Sequence, residues 1–587
     1  MTRHNSIIVM ILLAFCVSTM GHAKKRTERE KLSIASKLIA PQKLYSAEMI
    51  TVYGDTPGGY VVVSNDDIFE PVLGYSDKPF DTGNMPPGLS WWLTTINETM
   101  KQKKAANSLN TVNTVKPSRN VDPLLTTQWD QSPPFNDKCP IVDSWSKAHG
   151  ATGCVATAMA QIMKYHEYPE QGIGTGSYSI QGKSGAKTMA INTVYDWANM
   201  LDRYQGFNIS QSAKDAVADL LFDCGLASGM SYAAQGSGTT SMNATRGLTY
   251  NMQYDSLALR CYFRAFFNDD RWMSTIYQEI EAGRPVLLSA NDDKIGMAHA
   301  FVLDGVRADN GYVHVNWGWS GDADGYYDLF NLNPKTAMQT AYGQQGYDFS
   351  HDAIGQSVII GIVPPAAGVG KEYESFFGMA DEENFSISGN QLKISIPNII
   401  NYHYQTFYGI LGFVIEDVKT EKGTIWPFYY VGHWQSDVPV NPLEGWNNWE
   451  FNYSNEATDN LADGEYLVYL VSWHQSEIGK TNPRFIRFVD KGDGNENYNI
   501  WKLVKSNGKL QSISKQTVST GIKIEESGWR NDDGMAWKEG IGSSSELNRQ
   551  NSTVFYDLQG RKLSEGRMPK GFTIMKKNGK SYKMLLH

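Results

Sequence analysis

A cysteine behind two glycines opens a helix in this chain: Gly150-Ala151-Thr152-Gly153-Cys154-Val155-Ala156-Thr157-Ala158-Met159-Ala160-Gln161-Ile162-Met163. Val155, Ala158, Met159, Ile162 and Met163 recur at the spacing of one buried helical face, and the helix must stop before Pro169. Gly150 and Gly153 allow a tight turn just ahead, which puts Cys154 in the first helical turn. Backbone N–H groups there have no intrahelical partner and the macrodipole is positive. Both effects favour a thiolate, and the same N–H groups can hold an oxyanion. A structural cysteine at a helix start also prefers small neighbours, so the motif alone leaves both readings open.

A second element lies 145 residues downstream, in Ala298-His299-Ala300-Phe301, and a third in Asn316-Trp317-Gly318-Trp319. A papain-like thiol protease has this chain order, with His and Asn at comparable distances after the nucleophile. His299 opens an apolar run that reads as a strand, and Asp309-Asn310-Gly311 reads as a hairpin turn returning Tyr312 to Trp317 beside it. A two-residue turn at Asn310-Gly311 pairs His299 with Asp322, whereas a loop from Arg307 to Asn310 pairs it with Gly318; the sequence leaves both open. Asn316 and Trp317 point to opposite faces of a strand, so at most one side chain can face the histidine. Asn316 could accept from the imidazole N–H, and Trp317 could only shield or stack.

His314, His149 and His166 are competing bases, ranked below His299 because none has a spacing that assembles such a site. Gln131 precedes Cys154 by 23 residues, and its amide could complete an oxyanion hole with the Cys154 N–H. Its plainer reading is a turn glutamine. Gly236-Ser237-Gly238-Thr239-Thr240 lacks the Gly-Lys-Ser/Thr ending of a phosphate loop and reads as a flexible loop, with a cleft rim as one place for it. Asp322-Ala323-Asp324-Gly325 and Asp490-Lys491-Gly492-Asp493-Gly494 complete no calcium pattern and read as solvated turns. No metal and no cofactor are expected.

The 587 residues are too many for one core, so three or four domains are expected. A net charge of −9 without any dense Lys/Arg run or basic-aromatic stripe argues against a nucleic-acid partner. Arg3 and His4, the apolar run Ile7 to Val17 and the small residues of Gly21-His22-Ala23 read as a cleaved export signal. Cys16 follows Phe15, too bulky for a lipoprotein site. No later stretch is long and apolar enough to span a bilayer, so a soluble mature protein is expected. The remaining Cys139, Cys154, Cys224 and Cys261 suggest one special thiol and three buried side chains rather than a disulfide framework.

Residues 24–122 read as a small α+β unit followed by a linker. Gly58 to Ser64 and Pro71 to Tyr75 are paired strands, Ser90 to Lys101 a helix, and Lys101 to Asp122 a polar segment open to nicking. Residues 123–365 hold the motifs. Alternating stretches such as Gln391 to Ile396 and Tyr466 to Val471 suggest a β-sandwich over 366–515. A polar linker over 516–552 and a short-stranded tail over 553–587 complete the chain.

At these residues the chain resembles the streptopain family of secreted bacterial cysteine peptidases. The match runs from Ala151 to Ala158 and through Gln161-Ile162-Met163-Lys164-Tyr165-His166. It resumes at His299-Ala300-Phe301-Val302, at His314 to Trp319 and at Leu332-Asn333-Pro334. The resemblance implies an α+β, papain-like endopeptidase with Cys154 as nucleophile and His299 as base. It also implies Trp317 near the histidine, Gln131 in the oxyanion hole, and Ser237, Gly238, Ala298 and Trp319 along the substrate cleft. Ala298 stands where streptopain has glycine, and the chain runs 223 residues past the family's catalytic domain. The 24–100 unit is similar to the family's inhibitory propeptide, which implies a zymogen cut within 101–122. The added β-domains resemble interpain-type enzymes. The last block is similar to C-terminal tails of exported proteins, a candidate sorting segment.

The expectation is a secreted or cell-surface cysteine endopeptidase, made as a self-inhibited zymogen, acting on protein substrates and inhibited by its own propeptide. Two other classes fit the residues: a Cys-His amidase or acyltransferase, and a surface binding protein with an inert papain-like module.

Overall fold

The computed structural model describes residues 24–54, 58–105, 115–206, 208–234, 236–256, 258–264, 267, 269–292, 297–329 and 356–365, then 377–379, 384–401, 403–419, 423–431, 440, 442, 445–453, 456–474, 486–487, 489–490, 500–515, 538–539, 554–556, 562–563, 571–577 and 580–586. The export signal, Cys16, Leu332-Asn333-Pro334, Lys491 to Gly494 and most of 516–552 lie outside them.

Thr27 starts the first helix, Glu28–Ala35, through a reciprocal capping box with Glu30. Four short strands then form an antiparallel meander: β1 (Gln42–Ser46), β2 (Ile50–Gly54), β3 (Tyr60–Ser64) and β4 (Val72–Ser76). The β-branched run Val61-Val62-Val63 is buried, as suits a strand covered on both faces. The helix expected from Ser90 to Lys101 runs from Pro87 to Ala105. Proline is well placed at a first helical position because its missing N–H would have no partner there. This helix buries Leu89, Trp91, Trp92, Ile96 and Met100.

The central unit supplies β5 (Thr175–Ile180), β6 (Lys187–Ala190), β7 (Ser231–Tyr232), β8 (Arg260–Phe263), β9 (Val286–Asp292), β10 (Met297–Val306), β11 (Val313–Asn316), β12 (Gly325–Tyr327) and β13 (Gln356–Ile360). Among the described residues, ten strands form one antiparallel sheet in the order β1-β2-β3-β4-β12-β11-β10-β9-β13-β8. The seam is β4 against β12, where Ser76, Tyr75 and Gly74 pair with Gly325, Tyr326 and Tyr327. The N-terminal unit therefore continues the central sheet. Trp91, Trp92 and Leu89 share one hydrophobic core with Trp129, Phe301, Trp317 and Tyr327.

Two further sheets follow. One contains Asn384–Ser388, Gln391–Asn401 and Gly445–Tyr453; the other contains Gly409–Asp417, Gly423–Val431, Gly464–His474, Trp501–Ser506 and Lys509–Lys515. Alternate residues of both, such as Leu392, Ile394 and Ile396 with Leu411, Phe413, Ile415, Val468 and Leu470, fill a second core. Tyr404 leaves that unit and is buried in the core of the first. Its hydroxyl donates to the Ser256 carbonyl at 3.0 Å, and its ring lies 6.4 Å from that of Tyr250. Residues 554–586 contribute a four-stranded sheet.

Candidate active site

The helix begins at Cys154 and ends at His166, ahead of Pro169 as expected. Its first intrahelical hydrogen bond runs from the Thr157 N–H to the Gly153 carbonyl at 3.0 Å, so the N–H groups before Thr157 have no acceptor within the helix. Gly153 has φ +89, a conformation that side chains disfavour. A Cβ there would also meet the Ser237 carbonyl oxygen at 3.0 Å and Met230 at 2.8 Å. Cys154 is partly buried and forms no disulfide; Cys139, Cys224 and Cys261 are buried thiols. Burial pushes the Cys139 thiol up to about 12, leaving it inert near neutral pH.

His299 sits on β10, with Ala290 of β9 opposite. Its Nε2 lies 3.0 Å from the Trp317 backbone oxygen. A carbonyl can only accept, so Nε2 carries the proton and the neutral ring keeps its lone pair on Nδ1. The orienting group is thus neither candidate side chain but the main chain of Trp317. The hairpin loop is longer than the Asn310-Gly311 turn: the Arg307 N–H bonds the Tyr312 carbonyl, and Gly311 bonds back to Arg307. A bulge at Asp304 then shifts the register to Val302 opposite Asn316, between the two alternatives the sequence leaves open.

Asn316 is buried, and its side chain is fully used elsewhere. Its amide donates to the Thr127 carbonyl at 2.8 Å, while its oxygen accepts from Gln161 Nε2 and the Gly318 N–H, each at 3.0 Å. Gln161 is a hub on the Cys154 helix that the apolar periodicity does not reveal: its oxygen also accepts from Thr127 Oγ1 at 3.0 Å and the Trp129 N–H at 3.3 Å. Trp317 donates its backbone N–H to the buried Asp324 carboxylate at 2.9 Å and its indole N–H to the Ala323 carbonyl at 3.0 Å. Burial pushes the Asp324 carboxyl up to about 7, although His314 and the Trp317 N–H pull it down.

The competing histidines are committed elsewhere. His149 Nδ1 is 2.5 Å from the Cys139 carbonyl, His166 Nδ1 is 3.1 Å from the Tyr254 hydroxyl, and His314 Nδ1 is 2.6 Å from Asp304. Burial alone would lower His314, but Asp304 holds it above the usual histidine value. Gln131 lies beside the loop that leads into Cys154, its carbonyl accepting from the Thr152 N–H at 3.2 Å, and its side chain is half-buried. Ser237 is buried, and its hydroxyl donates to the Ala151 carbonyl at 2.6 Å. Gly238 borders open space, Trp319 is half-buried, and the backbone of Ala298 pairs with Asn291.

The N-terminal unit lies directly on this site. Trp91 packs against Phe301 with ring centres 6.0 Å apart, and Phe301 against Trp317 at 4.7 Å. His299 is 5% exposed, and burial pushes its imidazole down to about 4 despite the Trp317 hydrogen bond. Such a histidine resists becoming the cation of a thiolate–imidazolium pair.

Streptopain from Streptococcus pyogenes is 30% identical over 377 residues, an alignment covering 61% of this chain and 90% of that protein. The chain belongs to the streptopain family. Residues 129–327 match the model of the Peptidase C10 family, and residues 22–100 match that of the Spi protease inhibitor. This C10 peptidase is a cysteine endopeptidase made as a self-inhibited zymogen, with an α+β papain-like domain and an inhibitory propeptide. The thiol protease/hemagglutinin PrtT of Porphyromonas gingivalis is 32% identical over 365 residues, which cover 59% of this chain and 40% of that protein. The structure of Prevotella intermedia prointerpain A, 32% identical, covers 56% of this chain and 99% of that one with a TM-score of 0.48. Active interpain A, 33% identical, covers 42% and 97% with a TM-score of 0.35.

Proposed function

We propose that Cys154 is the nucleophile and His299 its base. The observation that carries this reading is the Nε2 contact to the Trp317 carbonyl, which leaves Nδ1 as the proton acceptor on a residue otherwise held by its strand. The Cys154 thiolate attacks the scissile carbonyl of a protein substrate. The Cys154 N–H and the Gln131 amide hold the oxyanion, and the imidazolium of His299 gives its proton to the leaving amine. Water then attacks the acyl-enzyme with His299 as base. Trp317 shields the histidine, and Ser237 and Gly238 border the cleft together with Ala298 and Trp319.

Activation follows from export and cleavage in the 101–122 linker. Several contacts hold the end of that linker on the central unit. Ser118 Oγ donates to Glu281 at 2.8 Å, Arg119 contacts the Glu281 carbonyl, and Val121 forms a β-bridge with Val306. Cleavage N-terminal to Lys116 leaves this segment on the mature enzyme. The chain acts outside the cytoplasm, a reading supported by the export-signal pattern of residues 1–23.

The test is intact-mass analysis of wild type and Cys154→Ala under mild reductant with casein present. Wild type is expected to process itself and then degrade casein, while the variant remains a folded, full-length precursor. Normal casein cleavage by Cys154→Ala would remove the assignment.

A further inference from the structure

We propose that Asp130 is a positioning residue that sets the Gln131 amide in the oxyanion hole and ties it to the loop holding His299. The inference rests on the reading of Gln131 as an oxyanion donor. Asp130 Oδ1 accepts the backbone N–H groups of Gln131 at 2.6 Å and Ser132 at 3.0 Å. Its Oδ2 accepts from Ser320 Oγ at 2.8 Å, and the Ser320 N–H donates back to the Trp129 carbonyl at 3.0 Å. The carboxylate therefore bridges two chain segments that are 190 residues apart.

Ser320 belongs to the short loop that begins with Trp317. That loop folds on itself through Asp322 N–H to Trp319 and Asp324 N–H to Gly321, and Ser320 takes a positive φ of 56 within it. Trp317 supplies the carbonyl that holds His299. On its other side Gln131 is joined to the nucleophile loop by its own carbonyl, through the Thr152 N–H. Three parts of the site, the nucleophile turn, the oxyanion loop and the base-holding loop, are thereby linked through the residues flanking Gln131.

An oxyanion donor stabilises the transition state only when it points where the charge develops, within about 3 Å. A glutamine side chain has three rotatable bonds, so its aim depends on a fixed backbone. Two N–H groups and one hydroxyl occupy three of the roughly four lone-pair sites of Asp130, so the carboxylate acts on the site through geometry. An asparagine offers the same acceptor to both N–H groups and a donor to Ser320, so it should replace the aspartate; alanine should not.

The experiment uses full-length Asp130→Ala, Asp130→Asn, Ser320→Ala, Gln131→Ala and Asp130→Ala/Gln131→Ala, each processed in trans by immobilised wild-type enzyme. Three quantities are measured: kcat and KM on a peptide substrate, affinity for a peptide aldehyde, and the rate of alkylation by iodoacetamide. The aldehyde forms a tetrahedral adduct that needs the oxyanion hole; alkylation forms none. Gln131→Ala is expected to lose on the order of 100-fold in kcat. Asp130→Ala is expected to lose about 10-fold in kcat and in aldehyde affinity, with alkylation unchanged and Asp130→Asn within about threefold of wild type. In the double variant the Asp130→Ala loss should vanish, because the donor it aims is gone. Equal losses of Asp130→Ala in both backgrounds, or aldehyde affinity unchanged by Asp130→Ala while Gln131→Ala loses it, would overturn the proposal. Unchanged aldehyde affinity in Gln131→Ala would overturn the oxyanion reading beneath it. If Asp130→Ala does not fold, Ser320→Ala decides: a loss of aldehyde affinity with normal alkylation supports the clamp, and wild-type affinity removes it.

Discussion

Gly88 of the N-terminal unit lies against the ring of His299: a Cβ at this glycine would stand 2.5 Å from His299 Cδ2 and 2.3 Å from Trp317 Cε3. Only a residue without a side chain lets the helix Pro87–Ala105 bring its first turn this close to the site. The contact couples inhibition to the state of the proposed base, since the same approach removes His299 from water.

Gly88→Val should therefore weaken inhibition. Forcing two extra methyl groups and a Cβ into a packed contact costs about 1–3 kcal/mol, or roughly a 5- to 150-fold loss of hold by the N-terminal unit. The measurement is residual peptidase activity of the unprocessed variant and its rate of self-processing, both expected to rise. A variant as silent as wild type would mean that the β4–β12 seam alone carries inhibition.

The hold of the N-terminal unit should also depend on pH through His299. The ordinary histidine value is 6.5, and burial lowers this one to about 4. A depressed histidine is buried neutral, so its burial is unopposed above pH 6.5 and becomes costlier as pH falls from 6.5 towards 4, where the bound ring itself begins to protonate. Affinity should drop about tenfold per pH unit across that window. Asp324, raised to about 7, works in the opposite direction because burial favours its acid form. Zymogen carrying Cys154→Ala, nicked in the linker by an added protease, isolates the binding step. The pH dependence that disappears in Cys154→Ala/His299→Gln belongs to the histidine, and no difference between the two would exclude it.

Asn316 should matter more for stability than for chemistry. Asn316→Ala leaves buried groups of Gln161, Thr127 and Gly318 without partners, at a cost of about 2–4 kcal/mol. Calorimetry should show a fall in Tm of about 5–10 °C. Because the Trp317 main chain orients His299, kcat per folded molecule should fall by less than about tenfold. A collapse of kcat with unchanged Tm would restore Asn316 as the orienting residue.

The mature enzyme should retain Lys116 onward. N-terminal sequencing of processed wild type should begin at or before Lys116. Glu281→Ala, which removes the acceptor of Ser118, should allow later cuts. A wild-type terminus beyond Val121 would require the bridge to Val306 to open first.

Much of the local structure around Cys154 was legible as pattern. The helix from Cys154 could be read because its apolar spacing and flanking glycines act over neighbouring residues, and β3 pairs with β4 as the Val61 to Tyr75 region suggests. The resemblance carried the family and the zymogen organisation, both supported by the match to streptopain. Asp130 left a faint trace, since an aspartate just before a Gln-Ser-Pro run often caps its own turn. Gln161 left none, because a buried glutamine on an apolar helix face looks like a surface residue in sequence.

What the sequence determined by itself was therefore a cysteine at a helix start, a histidine on a strand far downstream, and the kinds of unit placed around them. Tertiary structure decided the rest. A one-residue bulge at Asp304 shifts the hairpin register, and no spacing rule encodes it. That register gives the Trp317 carbonyl to His299 and turns Asn316 towards Gln161. Gly88 acquires its meaning only when a helix more than 200 residues earlier docks on the same ring. Such contacts depend on backbone atoms and on the shape of the gap between elements, and neither is written in the identity of one residue.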